Sequence, residues 1–156
     1  MLGRVLKSWS TLHHPDILGC LWMAVLLGFL TWLDFRDGGL FLIPPFAATL
    51  TVLVYPPNVP IAQPIAVVFG SVFGAAIGIV LSVLLGFGPG IALLAALTAM
   101  IILPLLRVSH PPAVALAMCP ALLHSGPRFA FVVVLPFTLV AVISRSGLSC
   151  LVSNWS

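Results

Sequence analysis

The chain has 156 residues, of which 62% are hydrophobic and only 6% are charged, and its mean hydropathy is +1.27. Soluble domains carry about 25% charged residues, so this composition excludes an ordinary soluble protein. The net charge of +3 is too small and too scattered for a nucleic-acid-binding surface, so we expect no nucleic-acid partner. The composition predicts a single membrane domain over residues 1–156, all-α in class, with the lipid bilayer around it.

The N-terminal segment, residues 1–16, has Arg4 and Lys7 between apolar residues at helical spacing. This pattern is typical of an interfacial helix lying on the membrane, and a disordered tail is the alternative. No cleavable signal is predicted, because small residues do not follow the first apolar segment. Four continuous apolar segments are then long enough to be membrane spans, namely residues 17–33, 65–87, 91–106 and 129–144.

Two further apolar segments, residues 40–55 and 107–123, are each interrupted by a pair of prolines. Proline lacks an N–H and suits the first turn of a helix, so each pair is predicted to begin a helix inside the membrane. With an extended part before the prolines, each segment reaches roughly 30 Å, just enough to cross the hydrocarbon. The alternative is that both segments re-enter on the side from which they came.

The two halves of the chain follow the same order of elements. "IPPFAATL" (43–50) aligns without gaps with "HPPAVALA" (110–117), so residues 17–87 form repeat one and residues 91–144 repeat two. Six crossings would give the two repeats opposite orientations, which is the inverted 3+3 plan of many transporters. The positive-inside rule favours six crossings, since Arg4, Lys7, Arg107 and Arg145 then share one side. We therefore expect both termini to be cytoplasmic, in a bacterial inner membrane.

Two helix N-termini that approach the midplane from opposite sides would form an anion site, because their first-turn N–H groups lack helical partners. Small side chains would let a small anion reach the backbone. The candidate binding residues in the two broken segments are Pro45, Phe46, Ala47, Ala48, Thr49, Pro112, Ala113, Val114 and Ala115.

Three polar residues precede the second pair of prolines. His110 could donate to the anion or carry a proton for cotransport, and its alternative role is to cap or pack the helix. Arg107 could pair with the anion or extend to the interface, and Ser109 lies between the two. No known catalytic motif is present, so no catalytic residue, cofactor or metal ligand is predicted and the chain is not expected to be an enzyme.

Glycine recurs every fourth residue at Gly70, Gly74 and Gly78. A stripe of small residues lets a second helix approach closely, so these glycines are predicted to serve helix packing. The small size of the chain makes a homo-oligomer plausible.

The segments "SHPPAVALAM", "LIPPFAATL" and "IAQPIAVVFGSVFGAAIG" resemble the HPP family of integral membrane proteins, named for the triplet at His110-Pro111-Pro112. The resemblance covers residues 15–145. It implies four transmembrane helices and transport of nitrite or a similar small anion, since some plant members are implicated in moving nitrite across the chloroplast envelope. The chain departs from the family pattern at Ala47, Ile65, Ser71 and Val114.

Two other functions remain open from the sequence. His110, Met118 and Cys119, with Met100 nearby, are ligand types that suit Cu(I), although His110 and Met118 are about 12 Å apart along a helix. A non-transporting scaffold or assembly subunit, held together by the glycine stripe, is the second alternative.

Overall fold

Six α-helices and no strand make up the described part of the computed structural model, which covers residues 17–37, 43–55 and 59–153. In chain order the helices are α1 (Ile17–Asp37), α2 (Pro44–Val54), α3 (Pro64–Leu85), α4 (Pro89–Leu105), α5 (Pro111–Leu123) and α6 (Leu135–Ser153). A short 3-10 helix (Pro60–Ala62) precedes α3, and a π-helical segment (Phe129–Val134) leads into α6. The predicted all-α class is confirmed. The predicted interfacial segment, residues 1–16, lies outside the described residues.

Three of the helical segments are long and apolar enough to cross a membrane, namely Ile17–Arg36, Pro64–Leu85 and Phe129–Cys150. The remaining predicted span, residues 91–106, corresponds to α4, whose 17 residues extend about 25 Å. The helices α2 and α5, with 11 and 13 residues, are shorter still. An integral membrane protein is therefore supported, while the inverted repeat of four spans and two broken segments stays a prediction.

Two helices extend beyond their predicted ends. The helix α1 continues to Asp37, although the span was predicted to end at residue 33. The Arg36 guanidinium lies 5.6 Å over the Trp32 ring one turn earlier. The helix α6 continues to Ser153, although the span was predicted to end at residue 144. There the Arg145 side chain donates from Nε to the carbonyl of Leu53 at 3.2 Å, which ties the extension to α2.

The central helix α3 runs parallel to α5, with α4 returning between them. The direction follows from the glycines of α3, which meet α5 residues in the same order along both helices. The facing pairs are Gly70 with His110, Gly74 with Ala113 and Gly78 with Ala117. We name the two ends of the bundle the Pro64 end and the Leu85 end, after the first and last residues of α3.

The helices α2 and α6 run parallel to each other and opposite to α3. The Phe46 ring of α2 stacks on the Phe137 ring of α6 with a centroid distance of 4.0 Å. Further along both helices, the carbonyl of Leu53 accepts from Arg145, so α2 and α6 run in the same direction. The helix α1 is antiparallel to both, since Cys20 Sγ near its start lies 3.6 Å from the hydroxyl of Tyr55, which directly follows α2. The Trp22 indole donates to Ser144 Oγ of α6 at 2.9 Å. Arg145 therefore lies at the Pro64 end.

The core has two parts that meet at α5. A larger part surrounds the stacked Phe46 and Phe137 rings with side chains of α2, α3, α5 and α6. A smaller part between α4 and α5 consists mainly of alanine, which lets the two backbones approach closely. Its buried members are Ala95, Ala99, Leu103, Val108, Ala113 and Ala117. The helix α5 therefore contributes buried residues to both parts of the core.

Candidate functional site

His110 is the most buried ionisable residue of the described chain, with 1% of its surface exposed. It immediately precedes α5, and its backbone is extended (φ −135°, ψ 107°), as is usual for a residue before proline. A β-carbon added at Gly70 would lie 3.1 Å from its Cβ and 2.5 Å from the carbonyl oxygen of Val108. The absence of a side chain at Gly70 therefore lets His110 pack directly against α3.

Both ring nitrogens of His110 have partners from other parts of the chain. Nδ1 lies 2.9 Å from the carbonyl oxygen of Ile61, in the 3-10 helix before α3. Nε2 lies 3.1 Å from Thr49 Oγ1, in the second turn of α2. The imidazole thus joins the start of α5 to α2 and to the 3-10 helix before α3.

These contacts determine which nitrogen carries a proton. A carbonyl oxygen can only accept, so Nδ1 donates to Ile61 in either charge state of the ring. Thr49 Oγ1 also lies 3.0 Å from the carbonyl oxygen of Pro45, one turn earlier in α2. The hydroxyl has one hydrogen, which either Pro45 or His110 can accept.

His110 lies inside the spanning part of the bundle. Gly70, which it contacts, is six residues into α3, or about 9 Å from Pro64 along the axis. The rest of α3 extends about 22 Å beyond that point. The ring thus lies alongside a helix that is long and apolar enough to cross a membrane, where ionisable groups are rare and usually functional.

The predicted row of unpaired first-turn amides is wrong for two of its members. The N–H of Phe46 donates to the carbonyl of Ile43 at 3.0 Å, and that of Ala113 donates to the carbonyl of His110 at 2.9 Å. A tightened first turn pairs these amides with the residue before the helix, and the two prolines in each turn have no N–H to satisfy. These two amides therefore already have partners within the chain.

The N-terminal parts of α2 and α5 lie against each other. His110 lies beside Thr49, which is about 7 Å along the helix axis from Pro44. Since α2 and α5 run in opposite directions, their first turns overlap side by side. The physical reason is that Thr49 supplies a hydroxyl for the imidazole, which Phe46 and the prolines cannot.

A cleft of about 220 Å³ opens beside His110 between α4 and α5. Its wall includes Ser109 and Val114 from the predicted set, together with residues of α4 that the sequence did not indicate. The α4 residues in its wall are Ala99, Met100, Leu103 and Pro104. The cleft is mostly apolar, and the polar side chains that reach it are Ser109 and His110.

The other predicted site residues divide between packed and outward positions. Pro45, Phe46, Pro112 and Ala113 are buried in helix contacts, and Ala47 and Ala115 are half-buried. Ala48 is exposed. Arg107 is exposed in the turn after α4, with a left-handed backbone (φ 58°). The structure thus brings together Thr49, Ser109, His110 and Val114, and leaves Ala48 and Arg107 at the surface.

The soft-metal alternative concerns His110, Met118 and Cys119, with Met100 nearby. In the described residues no group of three or more His, Cys, Asp or Glu side chains could hold a metal ion. The Cys119 thiol donates to the carbonyl of Ala115 at 3.4 Å within its own helix, and both nitrogens of His110 are in hydrogen bonds.

Two groups that position His110 were not indicated as such by the sequence. The Ile61 carbonyl comes from the segment before "AQP", and Gly70 was predicted only as a helix-packing residue. The proline at position 60, which begins a 3-10 turn, was the one local signal for an ordered backbone at Ile61.

The chain matches a known family of membrane proteins. Residues 8–155 match the family described as HPP, transmembrane region. No curated protein and no solved structure matches the chain. Because the match covers nearly the whole chain, including both helices that begin with a pair of prolines, this chain belongs to the HPP family of transmembrane proteins.

Proposed function

We propose that this protein transports a small inorganic anion across the membrane, with nitrite as the first candidate, and that the anion binds beside His110. The observation that carries the proposal is the burial of the His110 imidazole in the helix bundle. The ring is hydrogen-bonded to Thr49 of α2 and to Ile61 of the 3-10 helix. An ionisable side chain at this depth is costly and usually marks a path for an ion.

The charges of the chain favour an anion over a cation. From residue 38 to the C-terminus there is no Asp or Glu, so the site has no carboxylate to hold a cation. The N-terminus of α5 lies directly after His110, and its helix dipole favours negative charge there. The Ser71 hydroxyl, next to Gly70, is fully buried and has no hydrogen-bond partner among the described residues. It is a polar group that an ion or a water molecule could satisfy.

The cleft supports a pathway shared between copies of the chain. Met100, in its wall, is 58% exposed on the outer face of α4. An ion cannot pass along a face that contacts lipid, so a second copy covering this face would enclose the path. A homo-oligomer is therefore part of the proposal, and nitrite rests on the resemblance to the HPP family.

The first test is anion flux into liposomes that contain the purified protein. Liposomes with the wild-type protein are expected to take up nitrite much faster than protein-free liposomes. The flux through His110→Asn is expected to be about tenfold lower than through wild type, because the substitution breaks a buried hydrogen-bonding network. His124→Asn is the matched control, because His124 is exposed at the far end of α5 and its left-handed backbone (φ 52°) suits asparagine. Nitrite entry measured by colorimetric assay provides the readout.

A set of other small monovalent anions extends the test to substrate choice. If no anion in the set passes faster than through protein-free liposomes, transport is contradicted. If both histidine variants lose flux equally, the placement of the site at His110 is contradicted.

The orientation we propose has both termini in the cytoplasm of a bacterial inner membrane. In that case the loop between α5 and the π-helical segment, which includes Gly126, lies at the Leu85 end and faces outward. Gly126 is exposed and a β-carbon there meets nothing within 4 Å, so Gly126→Cys should fold normally. In a background lacking Cys20, Cys119 and Cys150, a membrane-impermeant maleimide is expected to label it in intact cells. Labelling only after permeabilisation would reverse the orientation.

A further inference from the structure

We propose that His110 takes up and releases a proton at Nε2 during each transport cycle, so that the anion crosses together with a proton. The inference rests on the proposed function for the identity of the cargo. Proton binding itself can be tested without any transport. The geometry that supports it is the arrangement of Ile61, His110, Thr49 and Pro45.

The site satisfies the imidazole in both of its charge states. When the ring is neutral, Nδ1–H donates to the Ile61 carbonyl at 2.9 Å and the Thr49 hydroxyl donates to the Nε2 lone pair at 3.1 Å. When a proton from water has bound to that lone pair, Nε2–H donates to Thr49 Oγ1, and the Thr49 hydrogen turns to the Pro45 carbonyl at 3.0 Å. No heavy atom has to move, and no donor or acceptor of this group is left unpaired.

Thr49 differs from the other described threonines in helices. Each of the others donates to the carbonyl four residues earlier, at 2.8–3.0 Å, as is common within helices. Those residues are Thr31, Thr51, Thr98 and Thr138. Thr49 has the same carbonyl within reach, but it is the one among these threonines that faces a ring nitrogen. That nitrogen can accept the Thr49 hydrogen or, when protonated, donate to the Thr49 oxygen.

No acidic or basic side chain belongs to the helices around His110. The helices α2, α3 and α4 and the 3-10 helix contain no ionisable residue, and α5 contains only Cys119, two turns further along. Arg107 is three residues earlier and exposed. A protonated ring therefore has no carboxylate to neutralise it in this part of the chain, and a bound anion would supply the opposite charge. Proton and anion binding then favour each other reciprocally.

Nitrogen-15 NMR of the imidazoles tests proton binding in the full chain, placed in lipid nanodiscs and labelled at histidine. The His110 signals are assigned by their loss in His110→Asn. We expect Nδ1 to carry hydrogen throughout a titration from alkaline to acidic pH, and Nε2 to gain hydrogen on acidification. Added nitrite should move the midpoint to higher pH.

Thr49→Val should move this midpoint to lower pH by on the order of half to one unit. The reason is that removal of the hydroxyl costs more free energy for the charged N–H of the protonated ring than for the neutral nitrogen. Thr49→Ser should restore the wild-type midpoint. Thr138→Val is the matched control, since Thr138 is equally buried but bonds only within its own helix. Hydrogen on Nε2 alone at high pH, or no change across this range, would overturn the inference.

Coupled flux separates this inference from the proposed function. With liposomes more alkaline inside than outside, wild type should accumulate nitrite above its external concentration, and a pH dye should report one proton entering with each anion. His110→Asn should lose accumulation. Nitrite flux without proton entry would overturn the inference and leave anion transport intact. The absence of flux for every anion would overturn both.

Discussion

Gly74→Leu is expected to disrupt the packing of α3 against α5 and to cost on the order of 3 kcal/mol or more in the free energy of unfolding. A β-carbon at Gly74 would collide with the carbonyl oxygen of Ala113, and that oxygen belongs to helical backbone that cannot move alone. The displacement would move the first turn of α5, and His110 with it. Denaturant titration of the purified protein in lipid nanodiscs measures the loss.

Gly28→Leu is the matched control for this substitution. Gly28 lies in α1 and is exposed, and a β-carbon there meets nothing within 4 Å. The control is expected to stay within about 0.5 kcal/mol of wild type, as substitutions away from packed contacts usually do. Equal losses in the two variants would show that α3 and α5 are not packed at Gly74 as described.

The same contact bears on the scaffold alternative. That alternative requires the glycine stripe to face a partner, whereas Gly70, Gly74 and Gly78 are buried against α5 of the same chain. Loss of function in Gly74→Leu would therefore report loss of the fold, and it would not indicate a partner surface. The glycine stripe of α3 is therefore occupied by α5 in the described part of the chain.

Phe46→Ala is expected to lower the free energy of unfolding by about 3 kcal/mol. Phe46 is fully buried, and its ring stacks on Phe137 at 4.0 Å, where it holds α2 against α6. Lipid weakens the hydrophobic contribution, but the cavity and the lost ring contacts remain. Because Thr49 lies one turn beyond Phe46 on the same helix, the flux of the variant should fall as well.

Phe131→Ala is the control for the size of the deletion, since Phe131 is 64% exposed at the start of the last span. It should be nearly neutral. A double-mutant cycle with Phe137→Ala should show a coupling of about 0.5–1.5 kcal/mol for the aromatic pair. Additive losses in that cycle would contradict a direct contact between the two rings.

Several features followed from local sequence. The prolines begin α2 at Pro44 and α5 at Pro111, as predicted, because proline fits the first turn of a helix and ends the structure before it. Composition alone indicated a membrane protein, since so few charges cannot cover a soluble surface. The ordered motifs were enough to indicate the HPP family, which the match over residues 8–155 confirmed.

The contacts of His110 could not be read from the chain. Its partners lie 61 residues away at Thr49 and 49 residues away at Ile61, and neither has a motif that marks it. In a soluble helix the apolar stripe shows which side faces the core. These helices are apolar on all sides, so hydropathy shows that they are in lipid but not which faces meet.

Tertiary structure therefore decided the chemistry of the site. The first-turn amides that the sequence offered as anion donors at Phe46 and Ala113 are paired within their own turns. The overlap of α2 with α5 instead places the Thr49 hydroxyl against the His110 imidazole. Sequence determined where the broken helices begin, because that depends on neighbouring residues. Their relative depth depends on close packing against Gly70 and Gly74, which only the assembled bundle establishes.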